Sequence, residues 1–118
     1  LLSVKDEMIT QNLPFVNKNG TMKEVVLKMT ESRLGLALIG NEEKLEGIIT
    51  DGDLRRSLLM SDDFTKIEIK DILNKSPMTA YENDNLQVAH ERMKEARLQS
   101  LVVRNNDEKI VGVIQIFK

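Results

Sequence analysis

The sequence predicts an α+β fold made of two copies of one small unit, and three observations carry that expectation. Apolar residues at helical spacing alternate with short runs rich in Val, Ile and Leu. Paired runs are separated by turns of Gly, Asn and Asp, the pattern of a hairpin. The third observation is internal repetition. Lys5-Asp6 followed by Met8 returns as Lys70-Asp71 followed by Leu73, and Pro14 returns as Pro77. Met22, Val25 and Met29 return as Leu86, Ala89 and Met93, and Leu38-Ile39 as Val102-Val103. Gly47-Ile48-Ile49 returns as Gly112-Val113-Ile114, so the offset stays at 63 to 65 residues throughout. A collinear series at one offset is a duplication rather than chance. The two units are residues 1–61 and 62–118, joined near Ser61–Lys66.

Within each copy the elements follow in order. Pro14 and Pro77 fix the entry into a first strand. Thr21-Met-Lys-Glu24 is a capping box, in which the Thr hydroxyl accepts an amide and Glu24 reaches back. Met22, Val25, Val26 and Met29 then line one face of a helix of about three turns. Asp84 or Asn85 starts the matching helix, with Leu86, Ala89, His90, Met93 and Ala96 as its face. Two apolar runs follow, Leu36–Ile39 and Leu45–Ile49 in copy one, Leu101–Val103 and Ile110–Ile116 in copy two. Their turns are Gly40–Lys44 and Asn105–Lys109. Copy one closes with a helix from Gly52 to about Met60, with Leu54, Leu58 and Leu59 expected on its inner side. A sheet of about three short strands with helices on one side cannot bury both faces alone, which gives a duplication of this size its physical use.

Composition removes much chemistry. The 118 residues include 17 basic and 19 acidic side chains, one His and no Cys. Disulfides, thiol catalysis, iron–sulfur clusters and thiolate zinc sites are excluded together. A single imidazole also excludes any metal site built on two. A net charge of −2 without a basic patch argues against nucleic acid and against anionic membrane surfaces. The chain begins with Leu1 rather than Met, shows no signal peptide, and reads as a cytoplasmic, soluble piece of a longer protein.

The segment with most chemistry is Thr50-Asp51-Gly52-Asp53-Leu54-Arg55-Arg56, where an apolar strand runs into a helix. Free N–H groups at such a junction suit a phosphate, with the Thr50 hydroxyl as an extra donor. Asp53 could accept two ribose hydroxyls, and Gly52 lets backbone approach a ligand. An equally concrete reading is that Thr50, Asp51 or Asp53 only caps the helix. Arg55 and Arg56 are either cations near a bound anion or a solvated face, and only one can point with Asp53. Asp51-Gly-Asp53 also mimics the aspartate pair of haloacid-dehalogenase phosphatases, but the chain is too short for that fold. A calcium loop fails because Leu54 and Arg55 replace further oxygen ligands. His90 reads as a packing histidine and the Met residues as core, while Arg33 and Arg97 sit where they would offset helix C-terminal dipoles.

The repeat, its order and Gly47-Ile-Ile-Thr-Asp-Gly-Asp-Leu54 resemble the cystathionine-β-synthase (CBS) domain. Two in tandem look like the paired regulatory module, whose repeats pack face to face about a pseudo-twofold axis with clefts between them. The resemblance implies that Thr50 and Asp53 hold the phosphate and ribose of an adenosyl-type ligand. It adds Pro14 and Ala37 to Thr50, Asp51, Asp53, Arg55 and Arg56 as ligand-binding candidates. Leu34–Ile39 and Gly47–Arg56 further resemble the C-terminal CBS pair of arabinose-5-phosphate isomerases. In those proteins an N-terminal sugar isomerase (SIS) domain interconverts D-arabinose 5-phosphate and D-ribulose 5-phosphate, supplying Kdo for lipopolysaccharide and capsules. The expected function is therefore regulatory rather than catalytic, with no metal and no required cofactor. The expected ligand is AMP, ATP or CMP-Kdo. Expected partners are that nucleotide or nucleotide-sugar and other copies of the protein, as a dimer of pairs within a tetrameric parent. A ligand-free dimerisation module is the alternative. Copy two departs from the pattern: Gln115 replaces Thr50, and the equivalent of Asp53 falls at Lys118, so the second repeat reads as C-terminally truncated.

Overall fold

The computed structural model describes residues 1–116 and divides into two compact α+β units, each holding a three-stranded sheet. The first comprises residues 14–41 and 45–77, and the second residues 1–13, 42–44 and those from Met78 onward.

The first unit runs β1 (Phe15–Val16), α1 (Met22–Ser32), β2 (Leu36–Gly40), β3 (Leu45–Thr50) and α2 (Asp51–Ser57), then a 3₁₀ turn (Phe64–Lys66) and α3 (Ile69–Ile72). Its sheet order is β1-β2-β3, parallel then antiparallel. Thr21 Oγ1 accepts from Glu24 N at 3.1 Å and starts α1. Met22, Val25 and Met29 from α1 pack with Ala37, Ile39 and Ile49 from the strands into one core cluster. The period of two in β2 puts Leu36 and Leu38 on the opposite face, and they are buried as well.

The second unit repeats the plan with β4 (Thr79–Tyr81), α4 (Leu86–Ala96), β5 (Ser100–Arg104) and β6 (Ile110–Gln115), preceded in sequence by a 3₁₀ turn at Val4–Asp6. Asn85 caps α4, accepting from Val88 N at 3.0 Å. Leu86, Ala89 and Met93 meet Val4, Ala80, Leu101, Val103 and Ile114 in its core. Even the irregularities recur. The register slips between Ile39 and Gly40 in one hairpin and between Val103 and Arg104 in the other.

The compact units cross the repeat boundary near residue 61, because each takes its leading segment from the other copy. The leading segments are the Lys-Asp repeats. Asp6 Oδ2 accepts from Ser3 N at 2.8 Å, and Asp71 Oδ2 accepts from Glu68 N at 2.9 Å, so each Asp caps its own short turn. Each segment then bridges a sheet edge, Ile9 to Val113 in one unit and Asn74 to Ile48 in the other. That crossing explains the repeated glycines. A Cβ on Gly112 would lie 2.8 Å from the Ile9 carbonyl oxygen, and one on Gly47 would run into the Asn74 carbonyl.

The expected helix faces need correction, while Arg33, Arg97 and His90 fall where the sequence put them. Leu54 is half-buried against the core, but Leu58, Leu59 and Met60 are exposed. Beyond Ser57 the hydrogen bonds shorten to i→i−3, Leu58 N to Arg55 O and Leu59 N to Arg56 O. A turn of three residues puts Ser57, not Leu58, beneath Leu54, and Ser57 is the buried residue. Val26 and Ala96 are exposed at the edges of their helices. Arg33 and Arg97 are helix C-caps in the left-handed region, with φ of 59° and 58°. His90 is half-buried, and its Nε2 lies 2.9 Å from Glu7 Oε2.

Candidate functional site at the end of β3

The register gathers most of the candidates at one end of the first sheet. Thr50 pairs with Leu36, Ala37 with Ile49, and Pro14 O accepts from Leu38 N at 2.9 Å. Pro14 therefore sits on one side of β2 and Thr50 on the other, about 10 Å apart at ordinary strand spacing. The methyl of Ala37 belongs to the core cluster, and Pro14 is buried.

Thr50 and Asp53 form a closed reciprocal pair. Asp53 N donates to Thr50 Oγ1 at 3.2 Å, and Thr50 N donates to Asp53 Oδ2 at 2.9 Å. Arg56 Nη2 reaches Asp53 Oδ1 at 2.7 Å, with side-chain exposures of 70% for the Arg and 19% for the Asp. Asp51 N donates to Gly35 O at 3.1 Å, tying the helix start to β2. The capping reading thus describes what these residues do in this state. It does not exclude a ligand. Each carboxylate oxygen of Asp53 retains a second lone pair, and the Thr50 hydroxyl, used as acceptor, still has a proton to donate. The cap pre-orients both groups, and Arg56 offsets the carboxylate's charge. Arg55 is exposed and, of the two arginines, Arg56 is the one paired with Asp53. At seven residues α2 is short, so a dipole argument for phosphate is weaker than the side-chain argument.

A cavity of about 220 Å³ adjoins Asp51 and Leu54, walled by Met29, Thr30, Arg33 and Gly35. That is below the roughly 300 Å³ at which small-molecule sites begin. A larger one of about 480 Å³ opens at the other end of β3, between Glu46, Lys18, Gly20 and the α3 residues Ile69 and Lys70. Lys18 and Lys70 are balanced there by Glu46 and Glu68, and nothing in the sequence motifs marked it. Among the described residues no cluster of three or more acidic or His side chains could hold a metal, and no helix is long and apolar enough to cross a membrane.

Copy two reproduces the backbone of the site without its chemistry. Ile116 N donates to Gln99 O at 2.9 Å, as Asp51 N does to Gly35 O, and Gln115 pairs with Ser100 where Thr50 pairs with Leu36. The expected equivalent of Asp53, Lys118, lies outside the described residues.

Comparison with known proteins agrees with the fold. The family model described as CBS domain matches residues 4–60 and 69–116. A probable arabinose 5-phosphate isomerase of Haemophilus influenzae is 37% identical over 98% of this chain and 34% of its own length. The arabinose 5-phosphate isomerase KpsF of Escherichia coli is 30% identical over 99% of this chain and 36% of its own. The chain thus spans about a third of the length of the curated relatives it matches. Among solved structures, a CBS domain protein from Pyrobaculum aerophilum complexed with AMP superposes with a TM-score of 0.83 at 23% identity, covering 97% of this chain and 87% of that one. The CBS domain pair of protein MJ0100, complexed with methylthioadenosine and S-adenosylmethionine, gives 0.82 at 22% identity, covering 97% and 92%.

Proposed function

The chain belongs to the CBS domain family, and from that premise we propose that it is the regulatory, ligand-sensing pair of a D-arabinose-5-phosphate isomerase. The likeness to two such isomerases along nearly the whole chain supports the parent activity. Catalysis would reside in the remaining two-thirds of the parent, a cytoplasmic enzyme feeding lipopolysaccharide or capsule synthesis. The ligand is an adenine nucleotide. Solved relatives of the same fold were crystallised with adenosine compounds, which favours this class over CMP-Kdo.

One observation carries the reading: the Thr50–Asp53 pair, held by mutual hydrogen bonds and braced by Arg56. Asp53 would accept the ribose hydroxyls, the Thr50 hydroxyl would donate to a phosphate oxygen, and Arg55 would add positive charge. A ligand that binds one arrangement of the module better than another shifts its population, and a differential of about 1–3 kcal/mol suffices for regulation. Because Gln115 replaces Thr50 in copy two, one nucleotide per chain is expected.

Calorimetric titration with AMP, ATP, CMP and CMP-Kdo tests this directly. AMP or ATP should bind with one site per chain, and Asp53→Asn should weaken binding by about 10- to 100-fold, the worth of hydrogen bonds to a charged group. No heat from any of the four at millimolar concentration would defeat the sensing reading. It would leave a structural module that dimerises the parent, a role the closed Thr50–Asp53 cap would also serve.

A further inference from the structure

Each leading segment passes the loop that starts the long helix of its unit, and the two passages differ. In the second unit Val4 N donates to Asp84 O at 2.9 Å, Lys5 N to Glu82 O at 2.9 Å, and Leu86 N to Leu2 O at 3.0 Å. The segment is zipped to the loop. At the repeat offset the counterparts in the first unit are Ile69 with Gly20, Lys70 with Lys18, and Met22 with Ile67. None of these three bonds is made among the described residues, and the amides of Ile69, Lys70 and Met22 have no backbone partner there. The gap between segment and loop is the cavity of about 480 Å³, lined by Lys18 and Gly20 on one side and by Ile69 and Lys70 on the other.

The parts of a closed zipper are nonetheless in place. The same turn holds the loop in both units, Gly20 N to Asn17 O at 2.8 Å and Asp84 N to Tyr81 O at 3.0 Å. Ile69 is a core residue of the first unit, as Val4 is of the second. The far end of the segment is fixed by reciprocal bonds between Asn74 and Ile48, both 3.0 Å, as Ile9 is fixed on Val113. What differs is a few side chains. Across the zipper Lys5 is matched with Glu82, an opposite charge, whereas Lys70 would be matched with Lys18, a like one. Glu68, which stands at the position of Ser3, holds the Lys70 ammonium at 3.2 Å in the open arrangement. Ile67 is buried where its counterpart Leu2 is 64% exposed, so the bond from Met22 N is the one the first unit gives up.

We propose that residues 67–73 are a strap with two positions: the open one of this structure, and a closed one in which Ile69 N donates to Gly20 O, Lys70 N donates to Lys18 O and the cavity is shut. One segment with two arrangements of similar energy is an element that binding can bias. The rim carries two cations and two anions and selects no charge, so the cavity acts through its space: a solute seated in it favours the open strap. The strap lies at the opposite end of β3 from Thr50 and works whether or not that residue holds a nucleotide.

Amide hydrogen exchange followed by NMR reads the strap residue by residue. In the unaltered chain Ile69 and Lys70 should be protected at least about 10-fold less than Val4 and Lys5, whose bonds are made. Lys18→Glu combined with Glu68→Ser gives the first unit the charges of the second at two exposed positions. That double variant should raise the protection of Ile69 and Lys70 by about 10-fold while Val4 and Lys5 stay as they were. Glu82→Lys makes the converse change and should lower the protection of Val4 and Lys5. Equal protection of the two pairs in the unaltered chain would mean that the strap is already closed. Unchanged exchange at Ile69 and Lys70 in the double variant would mean that no closed position exists, and unchanged exchange at Val4 and Lys5 in Glu82→Lys would remove the charge pair as what decides between them. Each of these three results would overturn the proposal.

Discussion

The two repeats share a backbone and differ in what they offer a ligand. Both hairpins carry the same register slip, both strands before the junction are tied back by the same amide, and both sheets are crossed by a leading segment over a glycine. At the strand end, however, one copy holds Thr50 and the other Gln115. The difference teaches that the architecture rests on apolar burial and close backbone approach, whereas the candidate site would rest on a few polar side chains at one strand end. The side chain at that strand end can therefore differ between the copies without loosening the shared pairing.

The comparison breaks first at the glycines. Gly47→Ala and Gly112→Ala each insert a methyl where a carbonyl and a side chain already lie, and each should cost about 2–3 kcal/mol in urea denaturation, in line with overpacked cores. Similar losses would confirm equivalent crossings; a neutral result at either would show that its leading segment yields.

Helix caps sharpen it next. Thr50→Ala and Asn85→Ala each remove one cap and should each cost about 1 kcal/mol. Only Thr50→Ala should also weaken nucleotide binding. If Asn85→Ala weakens it equally, the loss reflects stability rather than contact.

The smallest effect is a titration. Hydrogen bonds from the backbone amide and hydroxyl of Ser3 hold the Asp6 carboxyl below its ordinary value of 3.8. A folded value below the unfolded one stabilises the fold above about pH 4, and that contribution is lost as pH falls through the folded value. A carbon-detected NMR titration should place the Asp6 midpoint below 3.8, and Ser3→Ala should move it only part of the way back, because the backbone donor remains. A midpoint at or above 3.8 would break the account of how the Lys-Asp repeat caps its turn.

Much of this was legible in the sequence because it is local. Met22, Val25 and Met29 at helical spacing, the paired apolar runs and the 63- to 65-residue offset each report a nearby constraint. The exchange of leading segments was not legible, since nothing in Lys5-Asp6 or Lys70-Asp71 records which copy the segment will cross. The glycines were visible as a motif, but their reason lies in the carbonyls of Ile9 and Asn74, distant in sequence. Leu58 and Leu59 misled because a helical pattern was extended over a turn that tightens at Ser57. For Thr50 and Asp53 the sequence left capping and ligand binding as rivals; the reciprocal pair shows the cap, and ligand binding rests on the proposal above.

The crossed leading segments also order events in time. Residues 14–77 contain everything the first unit needs and can close as soon as they leave the ribosome. Val4 cannot: its amide awaits Asp84 O, and Ile9 awaits Val113 on β6. At about 5–20 residues per second the amino-terminal stretch waits several seconds with its apolar face unclaimed. Of these 118 residues, those made first are thus among the last to find their place.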